Sequence, residues 1–498
     1  MINRDFALLR AAWDGWDGVD PLPDLRGAAQ MLAGSVWPAP PPPRIRGQLH
    51  MQVKPALKSL TIPLLVDLRA ALRASGRTGH VTAWAQTLLV VCEVRRTTLK
   101  QRLAVGDLSA EDLQIKFHLL VLFFLEYFSD SQDGRFVNLA LKLLDQRWVL
   151  STDNARRQVA GQQPPTTTAM LALTVHMLVE HAVAEMSTPK YRPSVCLNCT
   201  DRIRSVPNEV RRLDSQGKHV IVFSPNRYGL YTLAVTQLLL QAGVRVDAIV
   251  VRKLLNPWRM VTEFRRDGIR LLKKIWRKFF LRRRAYVPRE YPTLPDLLAR
   301  IGVTESSVDA LAARHGIPVV YCTTLNEPRV HAALDQYRPD LVVFAGGGIV
   351  GDETLRRAGA GVVNCHMGQL PQYRGMDVVE WPLIENHHDD IGFTVHFMAH
   401  GIDTGDILGI FPVDGTLART VYEYREKFEP LMAVAIADTV VGHLDGQFER
   451  RPQRLEDGKQ YFIVHPRLYR MLEDRYVQSV AQVDTAPSTA PPTSVTRR

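Results

Sequence analysis

The stretch that decides the fold is residues 219–251, which read HVIVFSPNRYGLYTLAVTQLLLQAGVRVDAIVV. Two short runs rich in β-branched residues, HVIVFS and VDAIVV, flank a longer segment whose apolar residues recur at helical spacing. Three more runs of the same kind follow later in the chain, IPVVY, DLVVFA and GVVNCH. Such alternation indicates right-handed βαβ crossovers and a parallel sheet that is buried on both faces. The sequence therefore predicts an α/β fold over residues 216–415.

In open parallel sheets, ligands bind outside the carboxyl ends of the strands, so the polar residues that follow each run are candidates for a site. At the end of GVVNCH, Asn364 and His366 alternate to the same side of the predicted strand. Further on, the glycines of GIDTG (401–405) suit a tight loop that presents Asp403. An amide, an imidazole and a carboxylate at one strand end are suited to acyl transfer. On these residues alone, a chance grouping without function stays open.

Three separated motifs add to this pattern: Asn364-x-His366 with Leu370-Pro371-x-Tyr373-Arg374-Gly375, then Gly392-x-Thr394-Val395-His396, then Gly401-Ile402-Asp403-Thr404-Gly405. In this order and spacing, residues 219 to about 410 resemble the formyltransferase family that uses 10-formyltetrahydrofolate. The family includes glycinamide ribonucleotide, methionyl-tRNA and sugar-nucleotide formyltransferases. One departure is visible, because the family commonly has Ser-Leu where this chain has Gly368-Gln369.

The resemblance implies a Rossmann-like, parallel-sheet formyltransferase domain in which Asn364, His366 and Asp403 are catalytic. In this hypothesis, a substrate amine attacks the formyl carbon of 10-formyltetrahydrofolate. Asn364 and protonated His366 stabilise the resulting oxyanion. Asp403 keeps His366 charged and helps to relay the proton from the amine to the leaving nitrogen N10.

The run DLVVFA leads into GGGIVG (346–351), which literally matches the pattern G-x-G-x-x-G. A dinucleotide-binding loop follows the first strand of its unit and needs an acidic residue about 20 positions later. This loop follows the fourth predicted strand, and position 371 is a proline. By resemblance, the loop instead holds the pterin ring of the folate against four backbone positions: Gly347, Gly348, Ile349 and Val350. A glycine-rich connection without a ligand is the alternative.

The residues after the candidate catalytic strand include further candidates. Tyr373 and Arg374 are predicted to contact the substrate, whereas Trp381 fits a place in the core better than a stacking role. His396 lies on the apolar run GFTVHFM and is expected to be structural. Residues 387–390, HHDD, favour a solvated turn over a metal site, because adjacent side chains point in different directions. CLNC (196–199) is at most half of a zinc knuckle, so we expect no metal.

Residues 1–215 are predicted to form a mainly helical N-terminal domain of unknown role. Apolar residues recur at three- and four-residue spacing in IPLLVDLRAALRA, TAWAQTLLVVCEV, IKFHLLVLFFLEYF and FVNLALKLLDQ, and again over residues 169–187. STDNARRQVAGQQPPTTTA (151–169) is expected to be a loop. The catalytic domain is predicted at 216–415, with a basic insertion at about 253–290. A helical and β extension is predicted at 416–480, and a disordered tail at 481–498.

The composition describes an ordinary globular protein with one unusual segment. The 498 residues are 46% hydrophobic and 23% charged, with five cysteines and a net charge of +11. Multi-span membrane and disulfide-scaffold classes are therefore excluded, and a cytoplasmic location is expected. Residues 259–284 hold eleven Lys or Arg and two acids in an amphipathic helical pattern. A solvated helix packed on the domain, contact with an anionic membrane surface, and contact with nucleic acid or another polyanion stay open.

We expect N-formylation of a primary amine on a small molecule, such as an amino sugar or a biosynthetic intermediate. By resemblance, the tRNA-formylating members carry a C-terminal β-barrel, whereas 95 residues follow Asp403 here. The stretch GKQYFIVH (458–465) is similar to the ending of small-molecule formyltransferases. A methionyl-tRNA formyltransferase, a formyltetrahydrofolate hydrolase and a non-catalytic membrane- or RNA-binding module are the alternatives. A homodimer also stays open.

Overall fold

The computed structural model describes residues 57, 60–75, 79–106, 108–161, 166–191, 193, 203–253, 292–413 and 420–485. The chain divides into two compact units. The helical unit comprises residues 1–195, 380–388 and 461–498, and the sheet unit comprises residues 196–379 and 389–460. Each unit is formed by segments that are separate in the sequence.

In the described part of the chain, the helices and strands have the following bounds. The α-helices are α1 Ile62–Ser75, α2 Gly79–Arg95, α3 Leu99–Leu103, α4 Ala110–Ser131, α5 Gly134–Leu144, α6 Thr152–Gly161, α7 Thr167–Met186, α8 Leu230–Gln241, α9 Leu294–Arg300, α10 Val308–Arg314, α11 Pro328–Tyr337, α12 Asp352–Arg357, α13 Glu380–Ile384, α14 Val421–Leu444 and α15 Pro466–Thr485. The strands are β1 His219–Ser224, β2 Arg245–Arg252, β3 Val319–Cys322, β4 Leu341–Phe344, β5 Val362–His366, β6 Tyr373–Gly375, β7 Gly392–Phe397, β8 Ile407–Pro412 and β9 Lys459–Tyr461. Short 3₁₀ turns occupy Arg96–Thr98, His388–Asp390 and Leu455–Asp457.

The helical unit packs around α4, which contacts α1, α5 and α7. The N-terminus of α4 is capped by Ser109, whose Oγ accepts a hydrogen bond from the Asp112 N–H at 3.0 Å. Along α4, the rings of Phe117, Phe123 and Phe128 are almost completely buried. The five amphipathic segments predicted in this region are all helical, because each has an apolar face to bury against its neighbours.

One helix of the helical unit differs from its prediction. The segment 151–169 was expected to be a loop, but residues Thr152–Gly161 form α6. Ala155 of α6 is fully buried against Ala172 and Leu173 of α7. A packing contact to a helix later in the chain therefore outweighs the polar composition of α6. This part of the chain is corrected to a helix.

Among the described residues, α7 is the one helix long and apolar enough to cross a membrane. More than half of its apolar window is buried inside the protein. Core helices of soluble proteins pass the same test, so length and composition are weak evidence for a membrane span.

The sheet unit contains a seven-stranded sheet in the order β3-β2-β1-β4-β5-β7-β8. The first five strands are parallel, as predicted, whereas β7 is antiparallel to both β5 and β8. The chain order reverses between β1 and β4, which makes the carboxyl ends of these strands the expected ligand crevice. The mostly parallel sheet with packed helices confirms the α/β class. A second, two-stranded sheet pairs β6 with β9.

The predicted domain boundaries differ from the observed units. Residues 416–480 were predicted to form a C-terminal helical and β extension; within this range, α14 packs on α8, β5, β7 and β8 of the sheet unit. Residues from 461 onward, and also residues 380–388, belong to the helical unit instead. Residues 481–485, predicted to belong to the tail, are part of α15, and the rest of the predicted tail lies outside the described residues. Boundaries predicted along the sequence do not reveal that a segment packs in a different unit from its neighbours in the chain.

Candidate active site

The end of β5 places two polar side chains beside β7. Asn364 and His366 lie on β5, and Asn364 stands opposite His396 of β7. The amide nitrogen Nδ2 of Asn364 lies 3.2 Å from Nε2 of His396. The ring centroids of His366 and His396 are 6.1 Å apart. Both side chains thus approach His396, in agreement with the predicted alternation toward one side of the strand.

Both ring nitrogens of His366 face hydrogen-bond acceptors. Nε2 lies 2.9 Å from the carbonyl oxygen of Tyr373, and Nδ1 lies 3.5 Å from Oδ2 of Asp403. Because carbonyl and carboxylate oxygens only accept hydrogen bonds, a ring with a proton on each nitrogen satisfies both neighbours. This arrangement holds the His366 ring in one orientation between the two oxygen atoms.

A constrained loop presents Asp403 to His366. The φ angle of Asp403 is 51°, in the left-handed region that few non-glycine residues adopt. Its Oδ2 accepts a hydrogen bond from the Gly375 N–H at 2.9 Å, and its carbonyl oxygen accepts one from Nε2 of Gln453 at 3.0 Å. Position 405 must be a glycine, because a Cβ there would lie 1.8 Å from the carbonyl oxygen of Phe397. The carboxylate, 18% exposed, is therefore directed at the imidazole.

His396 joins this cluster, although the sequence favoured a structural role for it. Burial lowers the pKa of His396 to about 4, so its ring is neutral near pH 7. Nδ1 lies 2.8 Å from the carbonyl oxygen of Phe397 and therefore carries the single ring proton. Nε2 is left as an acceptor and receives a hydrogen bond from Asn364. This contact fixes the orientation of the Asn364 amide, with Nδ2 directed at His396.

Sequence reasoning missed this contact because it depends on strand register. His396 stands opposite Asn364 only because β7 pairs antiparallel with β5, which the runs of apolar residues do not reveal. The signal that was available is the recurrence of His396 in the second of the three motifs. The structure brings Asn364, His366 and Asp403 together, and their catalytic roles stay a prediction.

The comparison with protein families bears on this cluster directly. Residues 307–430 match the family model described as formyl transferase. The chain carries a formyl transferase domain. The match includes β4, β5, β7 and β8, and with them Asn364, His366 and Asp403.

Curated relatives of this formyl transferase domain are similar over part of their length. The methionyl-tRNA formyltransferase of Desulfotalea psychrophila is 33% identical over 155 residues, which cover 30% of this chain and 47% of that protein. The methionyl-tRNA formyltransferase of Geobacter metallireducens is 39% identical over 102 residues, which cover 20% of this chain and 32% of that protein. The chain thus spans about a third to a half of the length of these relatives.

Solved structures of formyltransferases show a weaker similarity. A phosphoribosylglycinamide formyltransferase from Bacillus halodurans is 20% identical, with a TM-score of 0.31, and covers 46% of this chain and 95% of its own. An N-formyltransferase from Helicobacter canadensis, in complex with folinic acid and dTDP-3-aminofucose, is 12% identical with a TM-score of 0.30. That similarity covers 52% of this chain and 80% of the Helicobacter protein.

The departure at Gly368-Gln369 has a structural reason in this formyl transferase domain. A Cβ at Gly368 would lie 2.9 Å from Cβ of Val378, so the space of a serine side chain is already filled. Gln369 is buried, and its Nε2 donates to the carbonyl oxygens of Asp389 and Ile391 at 3.1 and 3.3 Å. The segment after β5 is therefore held by Gln369 in a way that the family motif does not describe.

The two predicted substrate contacts are buried inside the domain. Tyr373 and Arg374 are 2% and 6% exposed, respectively. The Tyr373 side chain hydrogen-bonds to Asp390, and Nη2 of Arg374 donates to the carbonyl oxygen of Gly458 at 2.7 Å. Their role in substrate binding stays a prediction, whereas the contact between the Tyr373 carbonyl and His366 is present. Trp381 is fully buried and its Nε1 donates to the carbonyl oxygen of Phe462, which confirms the expected core position.

The loop after β4 presents only part of its predicted donor-binding backbone to solvent. Gly348 and Ile349 are exposed, whereas Gly347 and Val350 are buried. Three consecutive glycines, at positions 346, 347 and 348, have φ angles of 115°, 134° and 101°. Such angles are readily adopted only by glycine, so the backbone path of this loop depends on them.

The remaining candidates from the sequence contribute no further group to the site. In HHDD, His388 and Asp389 are exposed, whereas Asp390 is buried. Over the residues that the structure describes, no group of three or more His, Cys, Asp or Glu side chains is arranged to hold a metal ion. Cys196, Cys199 and the basic segment 259–284 lie outside the described residues.

Proposed function

We propose that this protein is an N-formyltransferase that moves a formyl group from 10-formyltetrahydrofolate to a primary amine of a small molecule. The observation that carries the proposal is the cluster at the end of β5, where His366 lies 3.5 Å from Asp403 and Asn364 is held by His396. The match of residues 307–430 to the formyl transferase family supports the same chemistry. Amino sugars and amine intermediates of biosynthesis are the acceptor classes that we propose.

Each side chain of the cluster has a separate task in this proposal. The bound folate supplies an electrophilic formyl carbon to the acceptor amine. Nδ2 of Asn364 has a second N–H beyond the one given to His396, and this N–H donates to the formyl oxygen. His366, protonated on both nitrogens, adds positive charge where negative charge develops. Asp403 orients His366 and is placed to relay the proton that the attacking amine loses to the leaving N10, as the bond between the formyl carbon and N10 breaks.

The loop after β4 fits the flat ring system of the donor. Because Gly348 has no side chain and is exposed, a ring can approach its backbone closely. Ile349 is 59% exposed and offers an apolar surface beside it. Phe344, the last residue of β4, pairs with Asn364 of β5, so the loop starts next to the cluster. In our proposal, the backbone of residues 347–350 receives the pterin ring.

The proposal also concerns which kind of molecule accepts the formyl group. The curated relatives named above are methionyl-tRNA formyltransferases, so an aminoacyl-tRNA is the second candidate acceptor. A small acceptor is supported by the segment that follows the site. Within the described residues 420–485, the chain forms α14, β9 and α15, and by resemblance the stretch GKQYFIVH (458–465) is similar to the ending of small-molecule formyltransferases. The basic segment 259–284, which would contact a polyanion or a membrane, stays an untested prediction.

Hydrolysis of the donor is the alternative that uses the same cluster, with water in place of the amine. By resemblance, the folate hydrolases usually carry a small βαββαβ-type domain in front of the catalytic one. The described residues between 57 and 191 instead form helices. We therefore favour transfer over hydrolysis. We also propose a cytoplasmic location, on the basis of the low cysteine content.

The experiment that tests the proposal is incubation of the full chain with 10-formyltetrahydrofolate, followed by measurement of the tetrahydrofolate released. Amino sugars, nucleotide-linked amino sugars, small biosynthetic amines and methionyl-tRNA are supplied one at a time. We expect release only with a small amine. Release with buffer alone would establish the hydrolase, and release only with methionyl-tRNA would establish the tRNA enzyme. If no acceptor causes release and folinic acid does not bind, formyl transfer is excluded.

A further inference from the structure

Arg252 joins two loops at the edge of the sheet where the parallel strands end. It is the last residue of β2, and its Nε donates to the carbonyl oxygen of Thr323, just after β3, at 3.1 Å. Its Nη1 donates to the carbonyl oxygen of Gly347, in the loop after β4, at 2.9 Å. The guanidinium is a rigid planar fork, so it fixes these two carbonyl groups relative to each other.

The consecutive glycines of this loop pack closely against neighbouring side chains, including that of Arg252. A Cβ at Gly348 would lie 2.8 Å from Nη1 of Arg252, and a Cβ at Gly347 would lie 3.1 Å from Cδ1 of Leu325. The absence of a side chain at Gly348 therefore lets the loop approach Arg252 closely, and its absence at Gly347 lets the loop approach Leu325. The Gly347 carbonyl is turned toward Arg252, while the residues Gly348 and Ile349 are left exposed.

Asn326 supports the next part of the same loop. Its Nδ2 donates to the carbonyl oxygen of Ile349 at 3.0 Å, and its Oδ1 accepts a hydrogen bond from the Gly351 N–H at 2.6 Å. Together, Arg252 and Asn326 hold the carbonyl groups of residues 347 and 349. Neither residue belongs to the glycine motif, so their effect on the loop is visible only in the structure.

We propose that Arg252 is a positioning residue for the formyl donor. By binding the Gly347 carbonyl, it keeps this acceptor out of the donor pocket and holds the exposed backbone in the shape that receives the pterin ring. Arg252 acts on the donor through the loop and not on the reacting atoms. The inference rests on the proposed function, because it takes the loop after β4 as the donor site.

The sharpest test is Arg252→Lys in the full chain, because lysine keeps the positive charge but cannot join both carbonyls as a planar fork. Titration calorimetry with folinic acid gives the dissociation constant, and steady-state kinetics gives kcat and the KM of each substrate. We expect the folinic acid Kd and the donor KM to rise about tenfold. We expect kcat and the acceptor KM to stay within about twofold, since the cluster at β5 is untouched.

The matched control is Arg245→Lys, at the opposite end of the same strand. The Arg245 side chain is 66% exposed and is paired with Asp247 at 2.7 Å. We expect this control to leave donor affinity, both KM values and the melting temperature unchanged. If Arg252→Lys does not fold, Asn326→Ser supplies the second variant, and the same rise in donor Kd is expected.

An unchanged donor Kd in folded Arg252→Lys would overturn the positioning role. Parallel losses in kcat, both KM values and melting temperature would also overturn it, because they indicate a general structural role. A wild-type protein that neither binds folinic acid nor releases tetrahydrofolate would instead defeat the proposed function itself. The two failures are therefore distinguishable.

Discussion

Two neighbouring strands, β4 and β5, end at the same edge of the sheet, but different kinds of residue stand at their ends. β5 ends in polar side chains, Asn364 and His366, which are held by His396 and Asp403. β4 ends in a glycine-rich loop, in which Arg252 holds the carbonyl of Gly347 and Asn326 holds that of Ile349.

Under the proposed function, the comparison assigns the chemistry to side chains at the end of β5 and the shape of the donor site to the loop after β4. Side chains on a rigid strand are placed precisely enough to act on a reacting group. A backbone without side chains offers a close approach to a flat ligand. Variants at the end of β5 should therefore lower kcat, whereas variants in the loop after β4 should raise the donor KM.

The largest expected effect is that of His366→Ala on the β5 side. Because this removes the group that faces both Asp403 and the Tyr373 carbonyl, we expect kcat/KM to fall about 1,000-fold. The Kd of folinic acid should stay within about threefold, which separates chemistry from donor binding. The control is His400→Ala, at a side chain that is 60% exposed and paired with Asp352. Full turnover by His366→Ala would remove the catalytic assignment.

His396→Leu sharpens the comparison by removing the side chain that holds Asn364. Without the acceptor at Nε2, the amide loses its fixed orientation, and we expect kcat to fall about 30-fold. Steady-state kinetics at saturating donor measures this effect. His396→Gln should recover part of the loss, because a glutamine oxygen can also accept from Asn364. Equal kcat values for the Leu and Gln variants would contradict the positioning argument.

On the β4 side, Gly347→Ala should act on the donor alone. The φ angle of 134° and the 3.1 Å approach of a Cβ to Leu325 force the loop to shift. We expect the donor KM to rise about tenfold with kcat within about twofold. The control is Gly217→Ala, at another glycine with positive φ but with nothing within 4 Å of a Cβ. A loss of kcat in Gly347→Ala would break the division between the two strands.

The smallest effect on activity is expected at Asp390, whose burial raises its pKa to about 6. The unfolded carboxyl ionises near 3.8, so between these pH values the native state binds the proton more tightly. The wild-type protein therefore loses stability as the pH rises from about 4 to about 6. Asp390→Asn avoids this loss, and its stability advantage should grow to about 3 kcal/mol by pH 7.

Urea unfolding at a series of pH values measures that difference. The gap between Asp390→Asn and wild type should be small at pH 4 and constant above about pH 6.5. A gap of the same size at pH 4 and pH 7 would show that ionisation of Asp390 is not its source. The Kd of folinic acid should be equal in the two proteins, because Asp390 hydrogen-bonds to Tyr373 and not to the loop after β4.

Much of the fold could be predicted because it follows from local patterns. The five β-rich runs from HVIVFS to GVVNCH coincide with β1 to β5, and the amphipathic segments of the N-terminal region are helices. The antiparallel pairing of β7 and the helix α6 could not be predicted, because both depend on partners that are distant along the chain. The exchange of residues 380–388 and 461–498 into the helical unit has the same cause.

By itself, the sequence determined the succession of β-rich runs along the chain, the residue types that follow them, and the identity of Asn364, His366 and Asp403 as candidates. Only the tertiary structure decided that His396 faces Asn364 and that Arg252 holds the Gly347 carbonyl. The physical reason is that a side chain's chemistry is set by its residue type, whereas its partners are set by strand register and loop packing. Those contacts exist only once the whole sheet has formed.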